Sequence, residues 1–259
     1  MDKVVIKIGT ESILNENGVF DIKKPKVATM IENIQSFINI GIGVILVSSG
    51  AVGLGKKEFK KPEGLDEIKY AQACAGIGQT IMISEYRKAF NELGTNSVSQ
   101  LLLTHWDMKN ACRSNSLKET LNIYLDNGII PIINENDALT KEELLKVGKE
   151  ADNDRLSLYV AKLVKAKTLM IITNTNGVYN KNPNESGAFQ IPYIANGDFS
   201  NIEFSSKSED GTGGMESKVA VAKSAICYGI NVHILDGIHS TLIEHYYSMQ
   251  SGGTVIKAL

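Results

Sequence analysis

Apolar and polar residues alternate in blocks along this chain. Short apolar runs at 4–8, 44–47, 98–103, 129–133, 169–172 and 232–235 are rich in Val, Ile and Leu. A strand with one wet face alternates apolar and polar residues. A nearly continuous run marks a strand covered on both faces, as in a parallel sheet. The longer stretches between the runs carry a helical period. Val27, Met30, Ile31, Ile34, Phe37 and Ile38 fall on one helix face, and Gly41 supplies a stop. The same reasoning predicts helices over 66–93, 113–127, 153–165 and 215–228, the last ended by Gly229. Strands and helices in this order predict an α/β fold, a mostly parallel sheet with helices on both faces. Residues 174–213 break the pattern with clusters of Asn, Gly, Ser and Pro, and read as hairpins and loops. Residues 254–256 read as an edge strand. No repeat or linker divides the chain, so residues 1–259 read as one domain.

Composition narrows the class. Apolar residues at 43% and charged residues at 22% are ordinary for a globular protein. The 27 Lys and Arg against 29 Asp and Glu leave no basic excess for a nucleic-acid surface. Cys74, Cys112 and Cys227 are widely spaced and read as free thiols in a reducing compartment, each a small buried or half-buried residue. The N-terminus lacks the basic-then-apolar pattern of a leader, and no stretch approaches ~18 apolar residues. The expected location is the cytoplasm.

In open parallel sheets, ligands sit beyond the carboxyl ends of the strands. The residues just after each run are therefore the places to look for chemistry. Lys7 interrupts the first apolar run, followed by Gly9. A lysine there either faces solvent from an edge strand or is aimed at an anion, with Gly9 allowing backbone N–H groups to come close. Ser49, Gly50 and Ala51 follow the second run, where small residues leave space and a helix start offers N–H groups to an anion. Asn134, Glu135, Asn136 and Asp137 follow the fourth; one or two serve as turn-formers and the others suit a charged amine. Asp152, Asn153 and Asp154 open a helix. Any one of them can be its cap, but two carboxylates so close are harder to explain as capping alone and suit lysines or an ammonium group. Gly211, Thr212, Gly213, Gly214, Met215 and Lys218 form a glycine-rich lead into another helix, a phosphate-binding arrangement.

Other chemistries lack their signatures. No glycine directly precedes Lys218, so this is no Walker A loop, and no Gly-x-Gly-x-x-Gly follows the first run. His-Glu-x-x-His, Cys-x-x-Cys and Gly-x-Ser-x-Gly are absent. His105, His233, His239 and His245 lack metal-binding spacing; His233 reads as strand and the others as loops or helix edges.

Taken in order, VVIKIGT, VILVSSGAVGLG, QLLLT, NIYLDNGIIPIINENDAL, DNDRLSLYVA, LMIITNTNGVYNKNP and GTGGMESKVAVA resemble the amino-acid kinase family, and within it the glutamate 5-kinases. The resemblance spans the whole chain. It implies a three-layer α/β/α sandwich around a mainly parallel sheet of about eight strands. It implies ATP-dependent phosphorylation of the L-glutamate side-chain carboxylate, the first step of proline biosynthesis, with Mg²⁺. Glutamate would bind toward the N-terminal half and ATP toward the C-terminal half. Ser49, Gly50, Ala51, Asn134, Asp137, Asp152 and Asn153 would contact glutamate. Lys7, Gly9, Thr173, Asn174, Gly211, Thr212, Gly213, Gly214, Met215 and Lys218 would contact the nucleotide. Lys7 and Lys218 would act on the transferred phosphoryl, with Asp154 holding both lysines. No metal site on the protein itself is implied. The resemblance also implies a homo-oligomer, a dimer or tetramer, and no partner among nucleic acids or membranes. Many bacterial members continue into a PUA domain, which this chain would lack. Asn174 and Asn182 stand where the family usually has aspartates. The alternatives are a kinase of the same fold acting on another small acid or phosphate, and a degenerate member that only senses a ligand.

Overall fold

The computed structural model describes residues 1–9, 12, 25–94 (25–27 as backbone), 97–139, 153–195, 197–200, 202, 214–236, 242–248 and 252–258. Six strands, β1 (Lys3–Ile8), β2 (Gly43–Ser48), β3 (Val98–Leu103), β4 (Ile130–Glu135), β5 (Thr168–Ile172) and β9 (Asn231–Leu235), run parallel in the order β3-β4-β2-β1-β5-β9. Next to β9 lies β10 (Thr254–Ile256), antiparallel to it. The short strand β8 (Tyr193–Ile194) follows, parallel to β10. A separate antiparallel pair joins β6 (Val178–Tyr179) to β7 (Gln190–Ile191). The helices are α1 (Pro25–Asn39), α2 (Ala51–Glu58), α3 (Glu67–Glu92), α4 (His105–Lys109), α5 (Ala111–Asp126), α6 (Asn153–Val164), α7 (Met215–Ile226) and α8 (Leu242–Ser248).

The layers follow from the strand period of two. Val4, Ile6, Ile8, Leu46 and Ile132 face one side and pack with Met30, Ile34 and Phe37 of α1 and Met82, Tyr86 and Phe90 of α3. Val5, Ile45, Val47, Ile133, Leu169 and Ile171 face the other, against Leu121 of α5, Leu156 and Val160 of α6, and Val219 and Ala222 of α7. The result is the expected three-layer sandwich. Lys7 shares the parity of Val5, which aims it at the α6 and α7 side. With β1 central in the sheet, the solvent-facing edge reading of Lys7 is excluded.

Local capping fixes the helix starts. Asp66 accepts from the N–H groups of Ile68 and Lys69, and Asn110 accepts from that of Arg113. The latter cap starts α5 at Ala111, two residues before the position expected from its apolar period.

Two other expectations are corrected. Thr254–Ile256 is not an edge strand: β9 flanks it on one side and β8 on the other. Two residues of β8 are too few to carry a periodic signal. Among the cysteines only Cys74 is buried, while Cys112 and Cys227 are exposed. Their helices turn those positions away from the sheet. Among the described residues, no helix is long and apolar enough to cross a membrane.

Candidate active site

The strand order reverses direction about β1, with β2, β4 and β3 on one side and β5 and β9 on the other. Such a reversal opens a crevice at the carboxyl edge of the sheet. The ends of β1, β2, β4 and β5 and the N-termini of α2, α6 and α7 all meet that edge.

The centre of the crevice is a buried charge cluster. Asp154, in the first turn of α6, has no exposed side-chain surface. One of its oxygens lies 2.6 Å from Lys7 Nζ and the other 3.6 Å from Lys218 Nζ. The two lysines come from β1 and from the first turns of α7, and both are nearly covered. Two ammonium groups share one carboxylate, so the cluster carries a net positive charge. The amino ends of α6 and α7 add positive dipole in the same direction. An anion entering here finds its counter-charges already in place, at low local dielectric.

A second cluster lies beside it, over β2 and β4. The Asn153 amide nitrogen donates to Ser49 Oγ at 2.5 Å and to Asn134 Oδ1 at 3.1 Å. This ties the start of α6 to the ends of β2 and β4. The Asn153 carbonyl oxygen is buried and meets no hydrogen-bond donor. It offers an acceptor to a ligand N–H.

The Ser49–Ala51 turn is held from the opposite layer. Gly50 caps α2 with φ of 111°, a left-handed conformation that a side chain would strain. Behind it α2 and α3 touch backbone to backbone. A Cβ on Gly78 would stand 1.7 Å from the Ala51 carbonyl oxygen, and one on Gly55 would stand 1.9 Å from that of Cys74. Ser48 Oγ lies 2.9 Å from the hydroxyl of fully buried Tyr86 of α3. Burial pushes the Tyr86 phenol well above its usual range, so it stays protonated. Nothing in the sequence singled out Tyr86. Its position in the apolar period of α3 marks it only as a core residue.

The remaining expected residues occupy the same edge. Gly9 follows β1, where a Cβ would lie 3.6 Å from the Ile172 carbonyl oxygen and 3.9 Å from Lys7 Nζ. Asp137 sits half-buried in the turn after β4. Thr173 donates its N–H to the Leu235 carbonyl at 2.9 Å, and Asn174 beside it is exposed. Gly214 caps α7 without a side chain, and Met215 begins the helix. Asp152, Gly211, Thr212 and Gly213 lie outside the described residues.

One buried polar pair lies away from this site. His233 of β9 and His245 of α8 approach at 3.2 Å between their Nδ1 atoms. The sequence reading put His245 in a loop or at a helix edge; it sits within α8, covered against the sheet. Burial drives His233 down to about 3, with the neighbouring histidine adding to the shift, and burial lowers His245 as well. Both rings are therefore neutral near pH 7.

Comparison with known proteins agrees with this architecture. The Amino acid kinase family model matches residues 2–236. The glutamate 5-kinase of Clostridium tetani is 35% identical over 259 residues, covering 99% of this chain and 94% of the relative. That of Clostridium acetobutylicum is 34% identical, covering 98% of this chain and 94% of the relative. Among solved structures, carbamate kinase from Giardia lamblia bound to AMP-PNP superposes with a TM-score of 0.70 at 16% identity, covering 100% of this chain and 99% of that one. UMP kinase from Bacillus anthracis does so with a TM-score of 0.64 at 16% identity, covering 99% and 96%. These two share the fold. Matched over most of its length, the chain belongs to the amino acid kinase family.

Proposed function

We infer that this chain is a glutamate 5-kinase, transferring the terminal phosphoryl group of ATP to the side-chain carboxylate of L-glutamate. The product is L-glutamyl 5-phosphate, and the step opens proline biosynthesis. The observation that carries the reading is the Lys7–Asp154–Lys218 cluster at the carboxyl edge of the sheet. Its family context is given by near-full-length relatives that bear this name.

The chemistry asks for what this edge offers. A carboxylate is already ionised near pH 7, so no general base is required. Catalysis of phosphoryl transfer is mainly positioning and charge stabilisation. Lys7 and Lys218 offset the repulsion between the incoming carboxylate and the γ-phosphate, and hold the equatorial oxygens as charge spreads over them. Asp154 holds both ammonium groups in place. The acceptor amino acid lies over β2 and β4, against Ser49, Gly50, Ala51, Asn134, Asp137, Asp152 and Asn153. The Asn153 carbonyl oxygen takes the α-ammonium group. The nucleotide lies toward Gly9, Thr173, Asn174 and the 211–218 segment, its phosphates at the start of α7.

No three His, Cys, Asp or Glu side chains cluster as a metal cage among the described residues. Asp154 is committed to two lysines. Mg²⁺ would enter with ATP, as is common for this ion. The chain is expected to act as a dimer or tetramer in the cytoplasm.

The test is ADP release by the purified chain with MgATP, with and without L-glutamate, and with aspartate and N-acetylglutamate as controls. Release that depends on glutamate alone is the expected outcome. Equal release with any of the three, or with none, would overturn the assignment.

A further inference from the structure

Gln79 of α3 is more than nine-tenths buried, and its side-chain nitrogen meets no hydrogen-bond acceptor. Its carbonyl oxygen is occupied, accepting from Gln100 Nε2 of β3 at 2.9 Å. A buried amide nitrogen without an acceptor is costly to keep out of water. Such groups point to a missing partner.

The helix that carries this amide touches the turns that flank the acceptor site. Gln100 pairs in register with Ile132 of β4, one row below the pair Leu102 and Asn134. Gln100 and Asn134 therefore face the same side of the sheet, that of α3. Along α3, Gly78 touches the carbonyl of Ala51, and a Cβ on Gly76 would lie 3.9 Å from that of Ala138. The turn of α3 from 76 to 79 is thus wedged between the Ser49–Ala51 turn and the turn after β4. Gly76 is exposed, and Gln79, about one helical turn further along α3, is buried.

We propose that Gln79, braced by Gln100, is a specificity-determining residue that donates a hydrogen bond to the α-carboxylate of the amino-acid substrate. The inference rests on the glutamate 5-kinase reading and adds to it the group that recognises the far end of the substrate. The spacing fits. With the reacting carboxylate beside Lys7 on β1, the strand β4 is two positions away, roughly 10 Å. Extended glutamate spans roughly 7 Å end to end, and side chains from both sides close the difference. The polarity fits too. Among the described residues, the Asn153 side-chain oxygen is an unused buried acceptor and the Gln79 side-chain nitrogen an unused buried donor. A zwitterionic α-amino acid head presents one ammonium and one carboxylate.

The experiment uses the isosteric apolar variant Gln79→Met and the charged variant Gln79→Glu, each assayed with glutamate and with 4-aminobutyrate. That analogue keeps the reacting carboxylate and the amine but lacks the α-carboxylate. For Gln79→Met, the KM for glutamate should rise about 10- to 100-fold, the loss of one buried bond to a charged group. The KM for ATP and the kinetics with 4-aminobutyrate should stay near those of the unmodified chain. Gln79→Glu sets like charges together and should depress glutamate use further, while sparing 4-aminobutyrate. If Gln79→Met folds poorly, the ratio of the two substrates in Gln79→Glu gives the answer independently. Equal losses with both substrates, or no change with glutamate, would overturn the proposal while leaving the kinase assignment intact. An unmodified chain without glutamate-dependent turnover would sink both.

Discussion

Replacing Asp154 by asparagine removes one charge and almost no volume. At 2.6 Å and 3.6 Å from two ammonium groups, the carboxylate gains roughly 6 and 5 kcal/mol of attraction at an effective dielectric near 20. Desolvating the three charges offsets most of that, so the intact cluster is worth little to stability. Removing only the anion is different. Two lysines are left side by side, nearly covered and without the carboxylate they share. Loss of one partner from a buried pair costs about 3–5 kcal/mol. For a chain of this size that lowers the melting temperature by about 6–20 °C. Turnover should fall by at least ~10²-fold, because neither lysine is held where the phosphoryl group needs it. ATP binding should not fall in parallel, since the site has become more positive. Added MgATP should therefore recover a larger share of the lost stability in Asp154→Asn than it adds to the unmodified chain. The assay is thermal unfolding with and without MgATP, alongside steady-state ADP release. An Asp154→Asn variant with unchanged melting temperature and near-normal kcat would refute the reasoning.

Three further outcomes are expected. Lys218→Ala should lower kcat by ~10²–10³-fold, judged from loss of a single charge-stabilising donor, with the fold retained on circular dichroism; near-normal turnover would contradict its role. Gly78→Ala forces a methyl group against the Ala51 carbonyl at 1.7 Å, so α2 must move. Urea unfolding should show a loss of about 1–3 kcal/mol or more, and the KM for glutamate should rise more than that for ATP. His233 and His245 are neutral when folded but take up protons on unfolding below about pH 6.5. The unfolded state then binds more protons, so stability falls as pH falls, by up to ~1.4 kcal/mol per pH unit for His233, with His245 acting in the same direction. For His233 the fall continues toward about pH 3. Urea unfolding between pH 7 and pH 5 checks this, and replacing both histidines by glutamine should flatten the slope.

Much of this was legible in the chain itself. The unbroken apolar runs revealed strands covered on both faces, because only such strands tolerate no polar alternation. Lys7 stood out for the same reason: a lysine in a central strand must have a counter-charge, and Asp154 provides it. What stayed hidden depends on contacts between distant elements. The Gly55 and Gly78 crossing leaves no periodic trace, since a glycine in a helix looks like a weak helix residue until another backbone is seen against it. Gln79 and Tyr86 lie in α3 outside any motif that marks a ligand. Their meaning appears only when Gln100 and Ser48 arrive from other strands. The His233 and His245 pair joins a strand to the seven-residue helix α8, too short to announce itself. The β10 strand looked like an edge because two-residue β8 gives no signal of its own.

The most direct test of the central claim is to identify the reaction product. The purified chain would be incubated with MgATP, L-glutamate and hydroxylamine, which converts an acyl phosphate into a stable hydroxamate. Formation of the glutamate hydroxamate in step with ADP release, and its loss in Lys218→Ala, is the predicted result. ADP release without hydroxamate, or hydroxamate formed equally well from aspartate, would contradict the account.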